Sequence, residues 1–256
     1  MSNISYFAIK TIIFHKVKIY FKEFQFNIIA PLINTLLFVF ILSIIISYHD
    51  YNLSKDSSYI NFLVPGILIT VVIQASFSHL SEVIISMKQI GSFNDYLVSP
   101  ISRSEIFLSL VISSLIVCTF IAIVNFLFLS FFINIEKINI LISLYYIMLT
   151  ILTFSSIGAL IGFISFSWDI QSATTNFFIV PISLCSGSFF SIDSLDKQFQ
   201  FILVYNPFYY LINGFRSAFY DNYELKIFSE LFILIVVLSI FLISLYIFKK
   251  GYKVIS

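Results

Sequence analysis

The chain has 256 residues, of which 59% are hydrophobic and 11% are charged, and its formal net charge is +1. Because soluble domains carry about 25% charged residues, this composition excludes a soluble domain and indicates an integral membrane protein. No basic run is interleaved with aromatic residues, so nothing indicates nucleic-acid binding. Cys118 and Cys185 lie in apolar runs and are expected to be small buried side chains rather than a disulfide or metal ligands.

The N-terminal segment, residues 4–24, has the pattern of an amphipathic helix. At 100° per residue, Thr11, His15, Lys18 and Lys22 fall within one narrow arc, and apolar residues gather on the opposite side. A basic amphipathic helix in front of a membrane span is typical of a helix lying in the membrane interface. We therefore predict an interfacial helix on the cytoplasmic surface.

The apolar segments predict an all-α polytopic membrane protein with six transmembrane helices in one domain covering residues 1–256. The spans are expected at about residues 26–47, 59–80, 106–133, 140–166, 174–192 and 229–248. Pro65 and Gly66 in the second span predict either a static kink or a hinge. Gly158 and Gly162 in the fourth span form a small-xxx-small pattern, which predicts close packing against another helix of the same subunit.

The segment 81–105 separates the second and third spans and is too polar for hydrocarbon. Its charged residues include Glu82, Lys88, Asp95 and Arg103. The first half has the spacing of a short amphipathic helix, which is expected to break at Gly91–Ser92, and Ser99–Pro100 is expected to end the second half. Composition alone leaves two interpretations open, a solvated loop or a charged helical handle for a partner outside the bilayer.

A second ambiguous segment, residues 195–220, lies between the fifth and sixth spans. It is apolar, but Asn206 and Pro207 interrupt it and Arg216 lies further along. We predict two short re-entrant helices that are broken at Asn206–Pro207 and dip into the outer edge of the membrane. Non-helical backbone at that depth must be buried in protein or line a water-filled cavity.

The distribution of basic residues supports six spans with both termini in the cytoplasm. This topology places nine of the 14 basic residues inside and eight of the 13 acidic residues outside. The excess of positive charge inside agrees with the orientation rule for membrane proteins. A seventh span would move the three C-terminal lysines outside. The basic residues expected inside are Lys10, Lys16, Lys18, Lys22, Lys88, Arg103, Lys249, Lys250 and Lys253.

The sequence has no motif for an energy source of its own. The seven glycines do not have the spacing of a phosphate-binding loop, and no paired Cys or His motif indicates a metal site. No acid or base lies near the centre of a span, where a proton relay would need one. We therefore predict no catalytic, cofactor-binding or metal-binding residue in this chain.

Four strings carry a resemblance to a known family. They are FLVPG at residues 62–66, GSFNDYLVSP at 91–100, SGSFF with DSL at 186–195, and NPFYY with GFR at 206–216. Over essentially its whole length, the chain resembles the membrane subunit of ABC-2 type exporters and is similar to the bacterial inner-membrane permeases of that family.

The resemblance implies a homodimer in the bacterial inner membrane, in contact with lipid and docked to a separate ATP-binding cassette ATPase that holds ATP and Mg. Glu82, Lys88, Asp95 and Arg103 would couple to that ATPase. The cargo would be an amphipathic or lipid-linked molecule, with export and flipping between leaflets both open. The hinge or gate candidates would be Pro65, Gly66, Asn206, Pro207 and Arg216.

Two other functions remain open at this point. An integral membrane enzyme acting on lipid head groups would need clustered polar residues at one membrane face, for which Asp193, Asp196, Asn206 and Arg216 are the candidates. In a purely structural role, these residues would cap broken helices, and Arg216 would pair with an outer carboxylate. The third function is a membrane anchor that transports nothing.

Overall fold

The computed structural model describes residues 6–49, 57–133, 138–192, 195–220 and 227–251, and within these ranges the regular structure is entirely helical. The predicted all-α class is confirmed. Asp193, one of the residues considered for an enzyme, lies outside the described residues.

The N-terminal part consists of α1 (Tyr6–Lys22), a π-helical turn (Gln25–Ile29) and α2 (Ala30–His49). The four polar residues predicted to share one arc of α1 are all exposed, while Ile12 is buried. The predicted amphipathic helix is therefore confirmed. Lys16 departs from the pattern, since its side chain is buried.

The centre of the chain contains α3 (Ser57–Ile90), α4 (Ser92–Val98), α5 (Arg103–Leu129) and α6 (Ile140–Ile164). Helix α3 does not end with the predicted span at Leu80, because the first half of the polar segment continues it to Ile90. Gly91 then breaks the helix as predicted, with φ = +78°, a left-handed conformation that glycine adopts without strain. Ser102 and Glu105 form a capping box at the start of α5.

The predicted fifth span is an irregular helical run at residues 168–188, which we call the α7–α8 run. It comprises α7 (Trp168–Thr174), a π turn (Thr175–Ile179), α8 (Val180–Ser183) and a second π turn (Leu184–Ser188). Pro181 supplies no backbone N–H, which favours such irregular turns. At Gly187, φ is +88° and the run ends in a kink.

The chain ends with α9 (Lys197–Val204), α10 (Pro207–Ser217) and α11 (Ile227–Lys250). The predicted break between two short helices at Asn206–Pro207 is confirmed. Cys118 is buried as expected, whereas the expectation for Cys185 is wrong, since its side chain is exposed on the outside of the α7–α8 run.

Five helices in the described part of the chain are long and apolar enough to cross a membrane: Gln25–Ile46, Tyr59–Ile90, Arg103–Phe132, Ile140–Ile164 and Phe228–Lys250. They correspond to five of the six predicted spans. The α7–α8 run is not among them because its first turns carry Asp169, Gln171, Thr174 and Thr175. The protein is a polytopic membrane protein, and a sixth span through this run stays a prediction.

Helix α3 is the central element of the fold, and its most extensive packing is against α6 and α5. Gly158 and Gly162 of α6 make the contact with α3 possible. A Cβ atom at Gly158 would lie 2.3 Å from the Phe77 carbonyl oxygen, and one at Gly162 would lie 3.0 Å from Ile84 Cβ. The two backbones approach closely because neither glycine has a side chain. The prediction that this pattern packs within the subunit is confirmed.

We expect Gly158→Ala to destabilise the protein, because a methyl group would overlap the backbone of α3. Overpacking of this kind costs about 1–3 kcal/mol. The measurement is the midpoint of thermal unfolding of the detergent-solubilised chain. Unfolding is monitored as the loss of the monodisperse peak in size-exclusion chromatography. Ser239→Leu is the control, since Ser239 is exposed on α11 and has room for a larger side chain. Equal midpoints for both variants and the unmodified chain would contradict the close α3–α6 contact.

Candidate functional site

Arg216 lies at the centre of a polar cluster near the start of α3. Its side chain is only 4% exposed. The Nε atom donates to the Phe62 carbonyl oxygen at 3.1 Å, and Nη2 donates to the carbonyl oxygens of Gly187 at 2.9 Å and Ser188 at 3.1 Å. The guanidinium carbon also lies 3.7 Å from the centroid of the Phe62 ring. Arg216 thus connects α10, α3 and the end of the α7–α8 run.

The interpretation in which Arg216 pairs with an outer carboxylate is wrong for the described residues, because its partners there are backbone carbonyls and an aromatic face. The sequence could not show this, since a broken helix exposes carbonyl groups only once its backbone geometry is known. The kink at Gly187 leaves such carbonyls, and a buried cation with several donors satisfies them.

Gly66 permits the close approach of α3 to this cluster. A Cβ atom there would lie 2.6 Å from both Arg216 Nη2 and the Ser188 carbonyl oxygen. Helix α3 continues through Pro65, and Thr70 connects the next turn to the kink, with its Oγ1 3.0 Å from Ser188 Oγ. The Pro65–Gly66 pair therefore places the α3 backbone directly against the kink.

Asn206 and Pro207 reach the same kink from the opposite side. Asn206 caps α10, since its Oδ1 accepts from the Phe208 backbone N–H at 3.0 Å, and Pro207 occupies the first helical position. The Nδ2 of Asn206 donates to Ser186 Oγ at 2.8 Å. Three of the five hinge or gate candidates, Gly66, Asn206 and Arg216, thus lie against residues 186–188, and Pro65 and Pro207 are their neighbours in the chain. We call these five residues and residues 186–188 the outer cluster. Asp196, by contrast, is exposed at the start of α9.

The four predicted coupling residues are not gathered in one place. Lys88 holds the C-terminus of α6, because its Nζ donates to the carbonyl oxygens of Phe163 and Ser165. The same ammonium lies 4.5 Å from the centroid of the Phe166 ring. A cation at a helix C-terminus satisfies unpaired carbonyls and the helix dipole. Lys88 thus joins the end of α3 to α6.

Arg103 and Asp95 occupy more exposed positions at the same end of the molecule. Arg103 Nη1 donates to the Lys249 carbonyl oxygen at 2.8 Å and so connects the start of α5 to the end of α11. Asp95 is exposed on α4, which is held by the buried Phe93 ring, 5.9 Å from the centroid of Phe248. Asp95 is therefore an exposed carboxylate on a short helix that packs against α11 through Phe93.

Helix α1 packs against this same end through Lys16. The Lys16 ammonium lies 5.6 Å from the centroid of the Tyr96 ring. Burial lowers the pKa of Lys16 to about 8, so the side chain is still mostly protonated at pH 7. This contact places α1 beside α4.

Glu82, the fourth coupling candidate, is half-buried and lines a cavity of about 350 Å³, which we call the Glu82 cavity. Its walls come from the region of α1 to α3, from α5 and from the α7–α8 run. The polar side chains that line it are Tyr20, Asn27, Asn34, Thr35, Gln74, Ser78, His79, Glu82 and Thr175. On one wall, Gln171 Nε2 reaches Ser78 Oγ at 3.3 Å.

A second cavity of about 290 Å³, the Thr70 cavity, adjoins the first. Both are lined by Asn34, Thr35, Val71 and Gln74, so the two cavities are adjacent and together form a groove between α2, α3 and the α7–α8 run. We call it the polar groove. It reaches the outer cluster at Thr70, which contacts Ser188.

The α3 wall of the polar groove is a polar stripe that the sequence analysis missed. Thr70, Gln74, Ser78 and Glu82 succeed one another at intervals of four residues and therefore lie on one face of the helix. This spacing is visible in the sequence, where it indicates a polar face on α3. The stripe extends over about 18 Å, given a rise of about 1.5 Å per residue.

The described residues do not suggest a metal site, because no three metal-ligating side chains come together among them. The groove instead offers neutral hydrogen-bonding groups and one carboxylate in an otherwise apolar helical bundle. Such an arrangement suits the binding of a molecule with a polar head and an apolar body.

Comparison with known proteins agrees with this architecture. Over 252 residues, the chain is 22% identical to the inner membrane transport permease YadH of Escherichia coli K12, covering 98% of each protein. The protein of the same name from Shigella flexneri shows the same identity and coverage. Residues 8–220, which make up most of the chain, match the ABC-2 type transporter family. This chain therefore belongs to the ABC-2 type transporter family and is a transport subunit of the membrane.

Proposed function

We propose that this chain is the permease subunit of an ATP-binding cassette exporter in the bacterial inner membrane, acting as a homodimer with both termini in the cytoplasm. A separate ATPase subunit would bind ATP and Mg and supply the energy. The observation that carries this proposal is the polar groove, which runs about 18 Å along α3 inside an apolar membrane protein. The family and the name of the YadH relatives support transport as the activity.

Helix α3 is well suited to carry a movement from one membrane face to the other. Its 34 residues span about 51 Å, whereas the hydrocarbon core is about 30 Å thick. One end is joined to α6 through Lys88 and leads directly into α4, and the other end lies against the outer cluster. We propose that closure of the ATPase pair pushes α4 and that α3 transmits this displacement.

The outer cluster would then act as the gate. Arg216 holds the kink at residues 187–188 through carbonyl groups, which carry only partial charge and can be exchanged for other acceptors. A shift of α3 moves the Phe62 carbonyl and Gly66, both in contact with Arg216. Two discrete arrangements of these contacts would correspond to a closed and an open groove.

The arrangement favours this role over that of a lipid head-group enzyme. Arg216 is engaged by three carbonyl oxygens and a ring, and Asn206 by a helix N-terminus and Ser186. Both side chains are used in holding broken helices rather than presented to a reactant. The same contacts would be expected in a non-transporting anchor, so the partner decides between that function and the exporter.

The first experiment is to tag the C-terminus, solubilise the membranes gently and identify the proteins that copurify. We expect a stoichiometric ATPase, with two copies of each chain in the complex. Mass photometry of the purified complex gives the stoichiometry. Recovery of the chain alone in every detergent, with and without nucleotide, would reject the exporter and favour the anchor.

We expect Asp95→Lys to weaken binding of the ATPase, because it reverses an exposed charge on α4 at the proposed docking surface. The measurement is the ratio of ATPase to permease after affinity purification, with an expected decrease of several-fold. Asp196→Lys is the matched control, since it reverses an exposed carboxylate at the predicted outer side. An unchanged ratio for Asp95→Lys would place the docking surface elsewhere.

We expect Arg216→Lys to leave the complex assembled but to lower its ATP hydrolysis several-fold. Lysine keeps the charge, but a single ammonium cannot reproduce the planar fork that serves three carbonyls and stacks on Phe62. Lys197→Arg is the control, because it exchanges the same two side chains at an exposed position at the start of α9. A hydrolysis rate equal to that of the unmodified complex would limit Arg216 to a structural role.

A further inference from the structure

Glu82 is a carboxylate on a membrane helix without a cationic partner among the described residues. Its side chain is half-buried in the wall of the Glu82 cavity. An unpaired carboxylate in a low-dielectric region is costly, and ionisable groups retained there mark binding or transport sites. The cavity beside Glu82 has room for a partner that does not belong to this chain.

His79 provides a second, independent indication in the same cavity wall. Its side chain is 1% exposed, and neither ring nitrogen has a hydrogen-bond partner among the described residues. Buried polar groups in proteins almost always have a partner, so two unpartnered nitrogens require an explanation. A ligand head group in the Glu82 cavity would bring hydrogen-bonding atoms to this wall.

The lining of the cavity indicates the charge of that head group. Among the described residues that line either cavity, Glu82 alone carries a charged side chain. Lys16 is not among the residues that line the two cavities, and its ammonium lies over the Tyr96 ring. Tyr20 adds an aromatic ring to the wall beside Glu82. A carboxylate with an aromatic ring is the combination that binds ammonium groups.

The adjoining Thr70 cavity indicates the kind of group attached to the head. Its lining includes Phe38, Ile67, Leu184 and Phe189, together with the hydroxyl and amide groups shared with the first cavity. The groove is therefore acidic at the Glu82 end and more apolar toward the outer cluster. This gradient fits an elongated molecule with its charge at one end.

We propose that the polar groove binds a cationic amphiphile, a molecule with a protonated amine head and an apolar body. Glu82 holds the head, His79 and Tyr20 contact it, and the body lies along α3 toward Phe189. This inference rests on the proposed function, since it names the cargo class of the exporter. The resemblance assigned Glu82 to coupling with the ATPase, whereas this proposal assigns it to binding of the cargo.

The test measures binding by the full-length chain in nanodiscs, without the ATPase. The probe is radiolabelled dodecylammonium, whose head carries N–H donors, and laurate serves as an anionic amphiphile with a chain of the same length. We expect saturable binding of the cation and none of laurate. Glu82→Gln, which keeps the shape but removes the charge, should weaken binding of the cation at least tenfold. Asp196→Asn, which removes an exposed carboxylate at the start of α9, should leave binding unchanged.

Equal affinity of the unmodified chain and Glu82→Gln for the cation would overturn the proposal, as would binding of laurate as strong as that of the cation. A size-exclusion profile of Glu82→Gln identical to that of the unmodified chain ensures that a loss of binding is not a loss of folding. The proposed function is tested separately by copurification of the ATPase. If no ATPase copurifies with the chain and the cation still binds in a manner that depends on Glu82, the exporter is rejected and the ligand class stands.

Discussion

The hydrocarbon core of a membrane offers no water, so every buried polar group must find its partner within the protein. This constraint explains much of the structure. Serine and threonine hydroxyls inside the spans return to carbonyls of the preceding turn, as Ser76, Ser109 and Thr150 do. Where the helices break, that local solution fails. Arg216 and Asn206 then supply the donors, and the outer cluster forms around the kink that needs them.

The same constraint gives α3 its special position. Because it runs without interruption through Pro65 to Ile90, it needs few partners for its own backbone and can serve as the surface on which other helices assemble. The glycines of α6 bring a second backbone against it, and Gly66 brings Arg216 and the kink. One rigid helix is thus in contact with the polar groove along its length, with α4 at one end and with the outer cluster at the other.

In the polar groove, the described residues do not provide every buried polar group with a partner. Glu82 and His79 lack partners among the described residues, whereas the polar groups of the outer cluster are hydrogen-bonded. A structural cluster and a binding site can be told apart on this basis. Groups that hold broken helices are satisfied within the fold, and groups that hold cargo are satisfied only when the cargo is present. By this criterion, the outer cluster, which we propose as the gate, and the polar groove, which we propose as the cargo path, are different sites.

The amino-acid sequence alone was sufficient to predict the all-α class, five of the helices that can cross the membrane, the breaks at Gly91 and Asn206–Pro207, and the contact made by Gly158 and Gly162. These features depend on local quantities, namely apolar length and the backbone chemistry of glycine and proline. The partners of Arg216, the C-terminal contact of Lys88 and the cavity beside Glu82 emerge only when the helices are packed together. They depend on residues far apart in the chain, such as Phe62 and Arg216 at a separation of 154 residues, and no local pattern encodes which backbone carbonyl a distant side chain will reach.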